Sequence, residues 1–215
     1  MPWKEKSMAH WYTRLAVVAI LSSVLGVGYI SVAHAGEPQE KVRQTVNEVL
    51  DILANKTLTE QERQDRMRQA VLQRFSFEEM ARRALGQHWR DRKPEEQQEF
   101  VQLFTDLLLD SYIDKIERSE GKEDIRYTKE SIEEGYATVR TEIVQKRDQN
   151  IEVEYRLLQR DGNWQVFDVI IEGVSLVNNY RTQFNKIILE ESYAALVKKM
   201  QQKSAQLEAV KDAPK

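Results

Sequence analysis

The sequence predicts an α+β protein in which helices pack on a curved antiparallel sheet of about four strands. Three observations carry this expectation. Up to Glu117, apolar residues recur with helical spacing. From Asp124 to Glu172 the period changes to alternation, the mark of strands. After Gly173 helical spacing returns, so the stretch from Asn163 to Phe184 joins a strand to a helix across a single glycine.

The chain opens with Lys4, Lys6 and Arg14, an apolar run from Leu15 to Val32, and Ala33-His34-Ala35. A charged start, an apolar run and a small-x-small site describe a secretory signal peptide over residues 1–35, cleaved after Ala35. An uncleaved anchor is the competing reading, but Ser22, Ser23, Gly26 and Gly28 dilute the run. Cleavage removes three cations and one anion and takes the formal net charge from −3 to −5. Such a chain has no general attraction to nucleic acid. It has no cysteine, so an exported fold here rests on its apolar core rather than on disulfides. The remainder is expected to form one domain over 36–205, followed by a polar tail over 206–215.

The helices follow in order. Val42, Val46, Val49, Leu50 and Leu53 mark one over Glu40 to Ala54. Thr59 with Glu62 and Ser76 with Glu79 have the spacing of capping boxes, which start two more helices near Arg74 and Gly86 respectively as their ends. Pro94 suits the first turn of a long helix to Glu117. Its stripe of Phe100, Val101, Phe104, Leu107, Leu108, Tyr112, Ile113 and Ile116 serves either core packing or one wall of a cavity. Ser175 is placed to cap the helix carrying Leu176, Val177, Tyr180 and Phe184. A last helix is expected from Leu189 to Gln202.

Strands are expected near Ile125–Ile132, Tyr136–Gln145, Asn150–Arg160 and Asn163–Glu172. The third alternates cleanly, with Ile151, Val153, Tyr155 and Leu157 against Glu152, Glu154 and Arg156. The fourth is apolar on both sides, so both of its faces should be covered. A three-residue loop at Arg160-Asp161-Gly162 would pair Tyr155 with Phe167, Val153 with Val169 and Ile151 with Ile171. All six then share one face, joined by Ala137, Val139 and Ile143 of the second strand.

Most enzyme classes are excluded early. His88 is the one histidine beyond the leader and there is no cysteine, which argues against a zinc site or a histidine-based triad. There is no G-x-x-x-x-G-K-[ST] phosphate loop. One enzyme-like arrangement survives: Asp168 as a base beside Tyr155 or Tyr136, in the manner of an isomerase. A helix-covered sheet with an apolar inner face otherwise closes as a dry core or holds an apolar ligand.

Two long stretches bear on that choice. F167-D-V-I-I-E-G-V-S-L-V-N-N-Y-R-T-Q-F184 resembles the signature of the toluene-tolerance (MlaC) family, the soluble periplasmic phospholipid carriers of the Mla pathway. F75-S-F-E-E-M-A-R-R-A-L-G-Q-H-W-R90, followed by P94-E-E-Q-Q-E-F-V-Q-L-F-T-D-L-L-L-D-S-Y112, is similar to the same family. The resemblance implies a non-enzymatic carrier that uses no cofactor and holds phospholipid as cargo, with both tails inside the domain. It implies an inner-membrane ABC-type transporter and its substrate-receiving subunit as one partner, and an outer-membrane lipoprotein complex as the other. A hopanoid or another apolar lipid is the alternative cargo. The expected tail contacts are Val139, Ile143, Val153, Tyr155, Phe167, Val169 and Ile171 from the sheet. From the helical segments they are Leu108, Tyr112, Val174, Leu176 and Tyr180. Arg181 is the expected head-group donor, with a surface ion pair as its competing role.

Overall fold

The computed structural model describes residues 36–117, 121, 123–145 and 149–211, with side chains through Gln206. Residues 1–35, the expected signal peptide, lie outside the described residues. The element order is α1 (Glu37–Ala54), α2 (Glu60–Arg74), α3 (Phe77–Leu85), a 3₁₀ turn (Gly86–Asp91) and α4 (Pro94–Glu117). The strands β1 (Asp124–Glu133), β2 (Tyr136–Val144), β3 (Ile151–Arg160), β4 (Asn163–Ile171) and β5 (Val174–Ser175) follow, and α5 (Leu176–Glu190) and α6 (Tyr193–Lys211) close the chain. This is the expected α+β class, with a fifth, two-residue strand added to the four anticipated.

Local chemistry sets most boundaries. Thr59 and Glu62 form the anticipated capping box. Ser76 does not: its side chain makes no cap bond, and Glu79 instead takes Arg82 and Arg83. Two guanidinium groups outcompete one backbone N–H for a carboxylate, because charge-assisted bonds are roughly twice as strong. Pro94 opens α4 as expected, and 24 residues give it a length of about 36 Å. Ser175 Oγ accepts from Asn178 N at 3.0 Å and caps α5. The break before the last helix falls at Glu191-Ser192, so Leu189 belongs to α5 rather than to α6. Ser192 starts α6 by accepting from Ala195 N at 3.1 Å, and the helix continues past Gln202 to Lys211.

The sheet is antiparallel in the order β1-β2-β3-β4-β5. Three of its hairpins turn on Glu134-Gly135, Asp161-Gly162 and Glu172-Gly173, and both residues of each of these pairs have positive φ. That is the two-residue type I′ turn, whose twist matches that of the flanking strands. The expected three-residue loop at Arg160-Asp161-Gly162 is therefore replaced by the two-residue turn Asp161-Gly162, and Arg160 pairs with Asn163. The expected register is corrected with it: Tyr155 pairs with Val169 and Val153 with Ile171. An irregularity between Arg156 and Leu157 absorbs one residue of β4, so Leu157 pairs with Val166. This bulge keeps Val153, Tyr155, Leu157, Val166, Val169 and Ile171 on one face despite the shorter turn.

Both faces of β4 are covered. α1 lies over the face that carries Val139: Arg43 stacks on the Tyr127 ring at 3.9 Å, and Gly36 N donates to Glu130 at 2.8 Å. Tyr127 pairs with Thr141 and Glu130 with Val139, which fixes their side. α3 and α5 lie over the other face, where the Arg83 guanidinium sits 4.2 Å above the Phe167 ring. Arg74 ties the layers together through Thr45 Oγ1 at 3.1 Å and the Trp164 carbonyl at 3.4 Å.

The Glu79 cluster gives the fold a pH dependence. Burial alone would push the Glu79 carboxyl up, but the hydrogen bonds from Arg82 and Arg83 outweigh it and hold the group below the usual carboxylate range. A depressed folded pKa adds stability that is present above the unfolded value and lost as pH falls through the folded one. The urea midpoint is accordingly expected to fall as pH is lowered from about 5 toward 3. Glu79→Gln should cost about 1–2 kcal/mol at pH 7 and flatten that acid limb. Equal slopes for the two proteins would assign the acid limb to other carboxylates.

Candidate functional site

The buried apolar residues form two sets on opposite sides of β4. The larger set joins the helices: Met80, Phe100, Phe104, Leu108, Leu109, Phe184 and Met200 belong to it, with Phe167 from the sheet. Its aromatic centre is close-packed. Phe104 meets Tyr180 at 5.3 Å and Phe184 at 5.6 Å, both edge-on, and lies 6.0 Å from Phe100.

The second set lies on the sheet face beneath α1. Val139, Leu157 and Trp164 are each 0% exposed there, and Ala137, Val153, Val166 and Val169 are also buried. The strand ends farther along, Ile143 and Ile171, are half-buried, while Val174 is 56% exposed. Polar atoms within this face are few. Thr141 is 0% exposed and donates to the Val153 carbonyl at 3.2 Å. Burial, aided by the neighbouring Tyr127, pushes the Tyr155 phenol up to about 12, against the pull of the Thr141 hydroxyl, so it stays neutral at every physiological pH. The indole N–H of Trp164 and the hydroxyl of Tyr127 have no hydrogen-bond partner among the described residues.

The expected contact residues therefore divide. Val139, Val153, Tyr155 and Val169, with Ile143 and Ile171 toward the strand ends, share the face under α1. Leu108 and Phe167 sit in the helical core, and Tyr112 and Tyr180 pack against it. Phe167 meets Tyr136 edge-on at 5.9 Å, and Tyr136 pairs with Leu158 on the outer side. Leu176 is half-buried at the start of α5. Leu157 shares this face by the alternation along β3, and Trp164 and Val166 join it through the two-residue Asp161-Gly162 turn, which the expected three-residue loop did not provide.

Arg181 is exposed on α5 and lies over the backbone of Gly86, where a Cβ would come within 2.9 Å of its Nε. His88 is held by Asn185 Oδ1 at 2.9 Å, a structural hydrogen bond. Asp168 accepts from Ser175 Oγ at 2.7 Å and from Val177 N at 3.1 Å, so its carboxylate anchors the β4–α5 junction. It pairs with Arg156 across the strands, on the side opposite Tyr155, so these two cannot act on one substrate atom. Among the described residues no cluster of His, Cys, Asp or Glu could hold a metal ion. A groove of about 260 Å³ on the outer face is lined by Lys129, Ser131, Thr138, Arg140, Glu154 and Arg156, and is too polar for acyl chains.

An open antiparallel sheet with one apolar face under a helix, and a separate core among the remaining helices, defines an α+β fold. The MlaC protein family profile matches residues 43–202. The chain belongs to the MlaC family. It is 24% identical over 144 residues to the intermembrane phospholipid transport system binding protein MlaC of Haemophilus influenzae, a match covering 65% of this chain and 67% of that one. Its fold is similar to that of a phospholipid-binding protein from Ralstonia solanacearum, solved in complex with a phospholipid. The two share a TM-score of 0.73 and 23% identity, over 80% of this chain and 99% of the other.

Proposed function

We propose that this protein is a periplasmic phospholipid carrier, freed from its leader by cleavage after Ala35, that shuttles lipid between inner-membrane and outer-membrane complexes of an Mla-type pathway. The observation that carries this reading is the apolar sheet face under α1, which is separate from the core that stabilises the helices. A face that lies outside that core, with α1 as its cover, is available for a ligand. The acyl tails lie against Val139, Val153, Tyr155 and Val169, with Leu157, Trp164 and Val166 behind them. Ile143, Ile171, Val174 and Leu176 form the rim toward solvent. The partners are an ABC-type transporter with its receiving subunit at one membrane and a lipoprotein complex at the other.

The energetics suit a carrier. Each buried methylene is worth about 0.8 kcal/mol against water, so two long tails would exceed the range of noncovalent affinity. The tails leave a bilayer, however, where they are already dry. Uptake and release are then nearly balanced, and a partner sets the direction without chemistry in this chain.

Native mass spectrometry of the protein exported to the periplasm tests the reading. A phospholipid-sized adduct is the expected result. An adduct of hopanoid mass would replace the cargo, and bare chain throughout would end the carrier reading.

A further inference from the structure

The start of α1 is held by a residue distant in sequence. Gly36 occupies the cap position and has no side chain to fill it. Glu130 of β1 supplies the acceptors instead: Oε2 lies 2.8 Å from Gly36 N and Oε1 lies 2.8 Å from Gln39 N. One carboxylate thus satisfies two of the orphan donors at a helix start. It also pins α1 to the sheet, on the face that α1 covers.

Gly36 is the residue that follows the expected cleavage site. While the leader is attached, its nitrogen is a neutral amide. After cleavage the same nitrogen is an α-amino group, protonated over most of the physiological range. We infer that removal of the leader converts the Gly36–Glu130 hydrogen bond into an ion pair that fastens α1 over the apolar face of the sheet. This rests on the proposed cleavage after Ala35. The bond already has the short length of a charge-assisted contact, so no rearrangement is needed to form the pair.

Two opposing effects decide how much is gained. A cation at a helix N-terminus is disfavoured by the helix dipole. Three carboxylates offset it: Glu130, which meets the nitrogen directly, and Glu37 and Glu40 in the first turn. Glu40 is shared with Arg43, 3.7 Å away, and of the three carboxylates Glu130 is the one that bonds the Gly36 nitrogen. Glu130 is half-buried, so its pairing is screened less than a surface pair would be. The mature chain then holds its cover more firmly than the precursor does, in a step that coincides with release from the membrane.

The test uses full-length mature protein released by a protease that leaves Gly36 first, beside a form with one added alanine. The extension keeps an N–H at Gly36 but moves the charge about 3.8 Å away. The extended form is expected to melt about 2–4 °C lower. In a Glu130→Gln background the same extension should change the melting point by less than about 1 °C. Equal losses in both backgrounds, or none in either, would overturn the ion pair. A second readout needs no Glu130 variant: the α-amine of the Gly36 form should react several-fold more slowly with cyanate at neutral pH than that of the extended form. Equal reactivity would count against the pair. The intact mass of exported protein reads the cleavage position separately. A first residue other than Gly36 would overturn the link to maturation, whatever the stability cycle shows.

Discussion

Replacing Val169 with glutamate is expected to give a folded protein that leaves the periplasm without phospholipid. Val169 is 8% exposed, pairs with Tyr155, and lies on the face beneath α1. A carboxylate there costs several kcal/mol unless it finds a partner or water. If the face borders a lipid site, water entering in place of the tails hydrates the charge, and the fold survives while the cargo is lost. If the face is solid core, no such relief exists and the protein unfolds. Extractable phosphate per chain and a circular-dichroism melt read the two outcomes separately. Ile143→Glu, at a half-buried strand end, gives the same lipid readout at lower risk to the fold. Ser131→Glu, on the exposed outer face, should change neither quantity. Full lipid loading of Val169→Glu would move the site off this face.

The fold was readable because its signals are local. Pro94, the Thr59–Glu62 box and Ser175 each act within a few residues, and each set the boundary it was expected to set. Ser76 and Gly86 also flank α3 as expected, but the Ser76–Glu79 box itself does not form, because Glu79 is buried beside two arginines and bonds them instead. The register failed for a related reason. Choosing the loop from the need to align Val153 with Val169 assumed an unbroken β4. The chain meets the same need with a two-residue turn and a bulge. The turn was legible in Asp161-Gly162, while the bulge, which depends on cross-strand packing, was not.

The candidate site was half legible for a physical reason. Alternation along β2 and β3 names one face of the sheet without reference to anything else, and Val139, Val153 and Tyr155 fall together accordingly. A helix stripe names residues that are buried but not which partner buries them. Leu108, Tyr112 and Tyr180 have the same apolar character as the sheet residues, yet they serve the helical core. Phe167 lies at the bulge, where alternation is interrupted, and it meets Tyr136 on the outer side. Burial was predictable from type and period; the assignment of each residue to the helical core or to the sheet face under α1 required the third dimension.

That division makes the second large prediction. Phe104→Ala is expected to cost about 3–5 kcal/mol, the usual range for truncating a fully buried aromatic residue. Phe104 is 0% exposed and contacts three rings, Phe100, Tyr180 and Phe184, so its loss opens a cavity that rigid neighbours refill poorly. The melting point should fall by roughly 10 °C. Phe104→Leu, which keeps more of the volume, should cost less than half as much. Below the new melting point Phe104→Ala should still carry its full complement of phospholipid, because the helical core and the covered sheet face are distinct. This is the reverse of the pattern expected for Val169→Glu, which loses cargo before it loses fold. Should Phe104→Ala lose lipid while its circular-dichroism spectrum remains native, the tails would have to reach past β4 into the helical core, and Leu108, Tyr112 and Tyr180 would return as contacts.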